Sequence, residues 1–216
     1  MGNIKDFFNK IPVYFGGLLI IFSLFLPSPI PPRASITAIQ SHPQTFSLSC
    51  ESRSAVDWAA YFGVKVKEKK FLRALPRSDN PDEGFVGNPK DPWGGIPPAS
   101  YGVHATPVAK LLNRLGVPAV ARKGMSWREV RKEIASGRPV IVWVVGQMWK
   151  GQRVIYHLKD GKSVSVARFE HTMILVGYDQ NSIQALDAYS GQRRIYPLRD
   201  FLDSWGVLGN MAIVHD

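Results

Sequence analysis

The chain has 216 residues, 45% of them hydrophobic, and carries a formal net charge of +10. That size suits one domain plus an appendage with an ordinary globular core, and the basic balance is unaccompanied by any nucleic-acid-binding motif, so no nucleic-acid partner is expected. One cysteine excludes an internal disulfide, and one cysteine with five scattered histidines shows no metal-ligand spacing, so neither a metal nor a cofactor is expected.

In chain order, Lys5 and Lys10 precede the apolar run Ile11–Leu26, "IPVYFGGLLIIFSLFL", which is 16 residues long. This is short for a membrane-spanning helix of about 20 residues but suits an anchor with contributing flanks or the apolar part of a secretory signal. The following "PSPIPPRAS" cannot continue a helix, because its prolines remove donors and clash with the preceding turn. No small-x-small cleavage site stands out near Ala34 or Ala38, which favours an uncleaved anchor. Residues 1–33 are therefore expected to form a membrane anchor or signal peptide with a proline-rich spacer, and 34–216 an exported domain. An extracytoplasmic location follows, membrane-tethered or secreted.

Ala55, Val56, Ala59 and Phe62 recur at helical spacing after Cys50, and Gly63 fits the position just past the helix end. A short helix at 67–75 stops before Pro76. Lys65, Lys67, Lys69 and Lys70 read as a solvated face. Residues 77–104 are rich in Gly, Pro, Asn and Asp and predict a long irregular segment, with Trp93 and Tyr101 as candidates to line a peptide groove. Thr106 and Pro107 predict a helix start with Thr as cap, and Ser126 and Glu129 predict a capping box. "PVIVWVVG", residues 139–146, reads as a central strand. Two hairpins follow, one turning at 159–162 and one at Gln180–Asn181, then a strand, a short helix and a last strand. The layout predicts an α+β fold with N-terminal helices packed on one face of a C-terminal antiparallel sheet.

Cys50 sits at a predicted helix start, with Ser49 or Ser47 as cap. A thiol of ordinary pKa is only about 3% ionised at pH 7, and a helix N-terminus beside an imidazole lowers that pKa. Of the histidines, His171 has the most telling place, at the mouth of the apolar strand "TMILVGY". Asp187 lies on the returning strand, opposite it within a bulge's tolerance, and would fix the ring's tautomer. Gln44, six residues before Cys50, offers an amide donor for an oxyanion. Each of these residues also has a plain structural reading when taken alone. A lipid-modified Cys50 is disfavoured, since the apolar run ends far upstream.

Gln44 and Cys50, then His171 at a strand start and Asp187 on the next strand, resemble the papain-like cysteine peptidases. More narrowly they resemble the bacteriocin-processing, double-glycine peptidase family and its stand-alone members. The resemblance covers about residues 36–215 and includes "GFVGN", "PWGGIPP", "YGVHATPVAKLL", "GRPVIVWV", "EHTMILVGYD" and "YSG". It implies a papain-like fold in which Cys50 attacks, His171 acts as base and then acid, Asp187 orients it and Gln44 forms the oxyanion hole. The substrate would be a peptide or protein, including a cell-wall peptide, with a catalytically inactive peptide-binding role as the alternative. Oligomeric state is not encoded in any motif. Many members carry glycine after the cysteine; here Glu51 stands there, an anion that opposes thiolate formation. The chain has no ATP-binding pattern, which sets it apart from the transporter-coupled members.

Overall fold

The computed structural model describes residues 29–216. The apolar run 11–26 lies outside the described residues, and among these no helix is long and apolar enough to cross a membrane. The elements are β1 (Ala34–Ser35), α1 (Cys50–Tyr61), α2 (Glu68–Ala74), α3 (Ala105–Arg114), β2 (Ala119–Arg122), α4 (Trp127–Ala135) and β3 (Val140–Val145), followed by β4 (Val154–His157), β5 (Ser163–Val166), β6 (Glu170–Tyr178), β7 (Ser182–Asp187), β8 (Gln192–Pro197), α5 (Leu198–Val207) and β9 (Ala212–His215).

The main sheet runs β2-β9-β3-β6-β7-β8, and β1 pairs with β6 beyond the end of β3. All its pairings are antiparallel. The last strand of the chain is thus inserted between β2 and β3. β3 and β6 are buried along their whole length, as near-continuous apolar strands covered on both faces require. β4 and β5 form a separate hairpin. Pro31, in the proline-rich segment, is held against the domain by Tyr178 Oη at 2.9 Å and Arg131 Nη2 at 3.1 Å.

A register shift between Leu175 and Gly177 places Met173, Leu175 and Tyr178 on the face of Asp187, Ala185 and Ile183. Thr172 therefore faces the other way. On its side, Thr172 Oγ1 meets Ser54 Oγ of α1 at 3.0 Å, and Trp143, its cross-strand partner, donates Nε1–H to Val103 O at 3.0 Å just before α3. The N-terminal helices pack on this face, α2 through α1. α4 and α5 cover the other, where Trp127 packs edge-on against both Tyr178 and Phe201. The buried tryptophans fill the core without orphaning a donor: Trp58 and Trp205 give their N–H to Pro139 O and Met211 O at 2.7 and 2.8 Å, as buried indoles require.

Two expected caps differ. α3 begins at Ala105 after an extended His104, so Thr106 lies inside the first turn and caps nothing. The reason is His104, a fully buried imidazole clamped between Asp82 Oδ1 at 2.7 Å and Tyr101 Oη at 3.1 Å, which sets the direction of the chain one residue earlier. Ser49 does occupy the N-cap of α1, but its hydroxyl makes no cap bond. Its oxygen instead accepts the Phe46 N–H at 3.0 Å while its hydroxyl donates to Glu68 Oε1 at 2.6 Å, a charge-assisted bond, and the two together turn the side chain away from the helix end. The Ser126–Glu129 capping box forms with both its bonds. Ser126→Ala should therefore lower stability by about 1 kcal/mol, read as a lower denaturant midpoint at unchanged slope; an unmoved midpoint would show that the box contributes nothing.

Candidate active site

Cys50 is the first residue of α1, and the loop before it is tied down at several points. Gln44 N donates to Ala188 O at 2.8 Å, and Leu48 N to Pro89 O at 3.0 Å. Thr45 gives its N–H and hydroxyl to the Glu68 carboxylate at 2.9 and 2.7 Å. Gly191 has φ +69 and lies against the backbone of His42 and Pro43, where a Cβ would come within 2.6 Å of Pro43 N. Only glycine lets the turn after Asp187 approach the loop before Cys50 so closely. The two ends of the site, far apart in sequence, are thereby held together.

His171 and Asp187 are brought into contact as the hairpin predicts. Asp187 pairs with Met173, and His171 Nε2 lies 2.8 Å from Asp187 Oδ1. Both side chains are buried. Asp187 also accepts from Tyr189 N at 3.0 Å and Ser190 Oγ at 2.6 Å. Burial pushes this carboxyl up, but the hydrogen bonds from His171 and Ser190, with the charge of His171 and the Tyr189 N–H, bring it down to about 2. Asp187 is thus a carboxylate at any ordinary pH. With Nε2 committed to Asp187, Nδ1 is the nitrogen left to exchange a proton; it has no hydrogen-bond partner among the described residues. Trp93 stands over the ring with centroids 5.8 Å apart, stacks on Tyr189 and meets Phe169 edge-on. Its indole N–H donates to Glu170 O at 2.7 Å, fixing the 77–104 segment to the start of β6.

The thiol faces elsewhere. Cys50 is only 4% exposed, and its Sγ–H donates to Glu51 Oε2 at 3.3 Å. Glu51 Oε1 in turn accepts the Val103 N–H at 2.6 Å. Glu170, also buried, completes the group: one donor atom each from Cys50, Glu51 and Glu170 lie within 4.8 Å of one another. Glu170 and Thr172 alternate with His171 along β6, so the thiol environment and the His171–Asp187 pair lie on opposite faces of its first residues. The expected lowering of the thiol pKa at the helix N-terminus is overturned. Burial first, and then the charges of Glu51 and Glu170, raise the Cys50 thiol well above its ordinary value, and hydrogen bonding from Thr172 only partly offsets them. Burial also raises Glu51 to about 7 and Glu170 well above the carboxylate range.

Gln44 spends both amide hydrogens locally, on Phe46 O at 2.8 Å and Ser47 O at 2.9 Å, while its Oε1 is buried without a partner. In this arrangement it presents no free N–H toward Cys50. The remaining histidines are elsewhere: His42 binds Asp57, His104 binds Asp82, His157 binds Ser163, and His215 binds the carbonyl of Asp216. Sequence reasoning singled out neither Glu170 nor Ser190. A carboxylate opening an otherwise apolar strand was the available signal for the first, and the serine of "YSG" for the second.

The two carboxyl shifts act on stability in opposite pH windows. Asp187, depressed to about 2 from 3.8, adds stability above the ordinary carboxylate range that is lost as pH falls through about 2. Glu51, raised to about 7 from 4.5, adds stability that is present below 4.5 and lost as pH rises through about 7. Melting temperatures of wild type should therefore fall between about pH 5 and about pH 8, and those of Glu51→Gln should fall less over that window. Parallel curves for the two proteins would contradict the assignment.

The model of the Peptidase_C39 like family matches residues 36–213. Among solved structures, a protein from Bacillus anthracis assigned as a C39-like peptidase superposes with a TM-score of 0.75 at 25% identity, covering 86% of this chain and 98% of that one. A looser likeness is a double glycine motif protease from an AMS/PCAT transporter, solved with its leader peptide (TM-score 0.48, 16% identity, 85% and 99% covered). Looser still is xylellain, a cysteine protease from Xylella fastidiosa (TM-score 0.41, 12% identity, 86% of each chain). No curated protein sequence matches the chain. With the family model spanning nearly all of the described residues, the chain belongs to the Peptidase_C39-like family and is a papain-like cysteine peptidase.

Proposed function

We propose that Cys50 is the nucleophile, His171 the general base and then acid, Asp187 the group that orients it, and Gln44 the oxyanion donor, in hydrolysis of a peptide bond. The observation that carries this reading is the buried 2.8 Å bond from His171 Nε2 to Asp187 Oδ1, which leaves Nδ1 for proton transfer. Because the resting thiol donates its hydrogen bond to Glu51 rather than to His171, attack begins with rotation of the Cys50 side chain toward Nδ1. His171 then takes the thiol proton as sulfur bonds to the carbonyl carbon. Asp187 stabilises the imidazolium that results. The tetrahedral oxyanion is held by the Cys50 backbone N–H and by Gln44 once its amide turns away from Phe46 and Ser47. His171 protonates the leaving amine, leaving a thioester. Water, losing its proton to His171, then releases the acid and restores the thiol.

A peptide substrate is supported by the aromatic surface beside His171. Trp149, Phe169 and Tyr189 are large exposed side chains there. A cavity of about 410 Å³ adjoins them, lined by Val145, Trp149, Gly151, Val154, Arg168 and Phe169. Such a surface takes apolar side chains, with Lys150 and Arg168 favouring acidic neighbours. Export with retention on the membrane is part of the same reading, supported by the basic flank and apolar run before Leu26. A cell-wall peptide is one substrate that this location would bring within reach.

An activity-based probe that alkylates catalytic thiols tests the assignments without knowledge of the substrate. Wild type should be labelled, Cys50→Ala not at all, and His171→Ala at least about a hundredfold more slowly, in keeping with the usual worth of a general base. Asp187→Ala should be slowed as well. Gln44→Ala should keep labelling by alkyl probes but lose turnover of acyl substrates. Equal labelling of wild type and His171→Ala would exclude His171 as the base.

A further inference from the structure

The group formed by Cys50, Glu51 and Glu170 has a feature that hydrolysis does not use. Its two carboxyls are among the most buried in the chain, Glu51 at 1% and Glu170 at 3% exposure. No Lys, Arg or His nitrogen pairs with either among the described residues. Glu51 has Val103 N and the Cys50 thiol as partners. Glu170 Oε1 has none, although it is shut away from water. A buried acceptor with no donor calls for a proton or a cation.

We propose that Cys50 Sγ and one carboxylate oxygen each from Glu51 and Glu170 form a site for a thiophilic divalent cation of the zinc or cadmium type. The donor set is one thiolate and two carboxylates, with a fourth, tetrahedral position open to water. With metal–sulfur and metal–oxygen bonds of about 2.3 and 2.1 Å, a tetrahedral S···O edge is about 3.6 Å. The observed separation of Cys50 Sγ from Glu51 Oε2 is 3.3 Å, and the sulfur and one carboxylate oxygen from each glutamate already lie within 4.8 Å of one another. The Val103 N–H on Glu51 Oε1 supplies the outer hydrogen bond that orients a ligating carboxylate. Gly102, at φ +128, closes the wall, where any Cβ would collide with Glu51 Oε1. Binding releases the thiol proton and any carboxyl proton to solvent. The sulfur selects zinc or cadmium over magnesium and calcium. His171 is not a ligand. That occupancy blocks hydrolysis rests on Cys50 being the nucleophile; the binding itself does not.

The test is titration of the full-length protein with Cd²⁺ while following the ultraviolet thiolate-to-cadmium charge-transfer band, a readout independent of activity. Wild type should saturate at one equivalent, unaffected by excess Mg²⁺, and Cys50→Ser should show no band. Glu170→Gln should weaken binding about tenfold or more, and His171→Ala should leave it within about twofold. Should Glu170→Gln fail to fold by circular dichroism, Glu51→Gln places the same demand on the site. An absent band in folded wild type, unchanged affinity in the folded glutamine variant, or loss of the band in His171→Ala would each overturn the proposal, the last by showing a Cys–His site instead. Failure of the probe-labelling pattern described above with the cadmium band intact would instead fault the catalytic assignment alone.

Discussion

A fully desolvated carboxylate is costly unless it is saturated with donors, and the geometry of this site follows from how Asp187 meets that condition. Its two oxygens take hydrogen bonds from His171, Tyr189 N and Ser190. Each donor comes from β6 or from the turn after β7, so the β6–β7 register is the constraint that keeps the aspartate ionised. The same turn carries Gly191, whose lack of a side chain lets it lie against Pro43, and Ala188, whose carbonyl holds Gln44 N. The loop leading to Cys50 is therefore positioned by the residues that saturate Asp187. Trp93, from a segment without regular structure, closes the arrangement over the imidazole.

Strand alternation explains why the thiol is not part of that bond network at rest. Successive side chains of β6 point to opposite faces, so the strand that carries His171 also delivers Glu170 and Thr172 to the side where α1 packs. The thiol finds a carboxylate there before it finds an imidazole. Two buried carboxyls beside a thiol keep its proton in place, and in the mechanism proposed above the nucleophile is therefore released by base catalysis during attack rather than stored as an ion pair. Glu51 belongs to the fold as well, since it satisfies the Val103 N–H ahead of α3.

Much of this was legible in the sequence. The helix from Cys50, its end before Gly63, the capping box at Ser126 and the hairpin joining His171 to Asp187 depend on local periodicity and turn chemistry, which short stretches carry. The roles of Ser49 and Thr106 were not legible, because Glu68 and the Asp82–His104–Tyr101 clamp act from distant segments. The acid cluster was hidden for the same reason: Glu51 and Glu170 stand more than a hundred residues apart, and only the packing of α1 on β6 joins them. Glu51 read as a residue opposing thiolate formation, and the structure adds a larger cause that no sequence neighbour reveals, the burial of the thiol itself. The second hydrogen bond of Gln44, to Ser47, likewise depends on loop geometry that no spacing reveals.

The central claim is that Cys50 holds its proton at rest and loses it only to His171 in the attack. The most direct measurement is the thiolate ultraviolet absorbance of wild type minus Cys50→Ser across pH. The account predicts no thiolate signal at neutral pH, with the signal rising only above the ordinary thiol range. A full thiolate signal at neutral pH that disappears in His171→Ala would contradict it, showing a preformed thiolate–imidazolium pair.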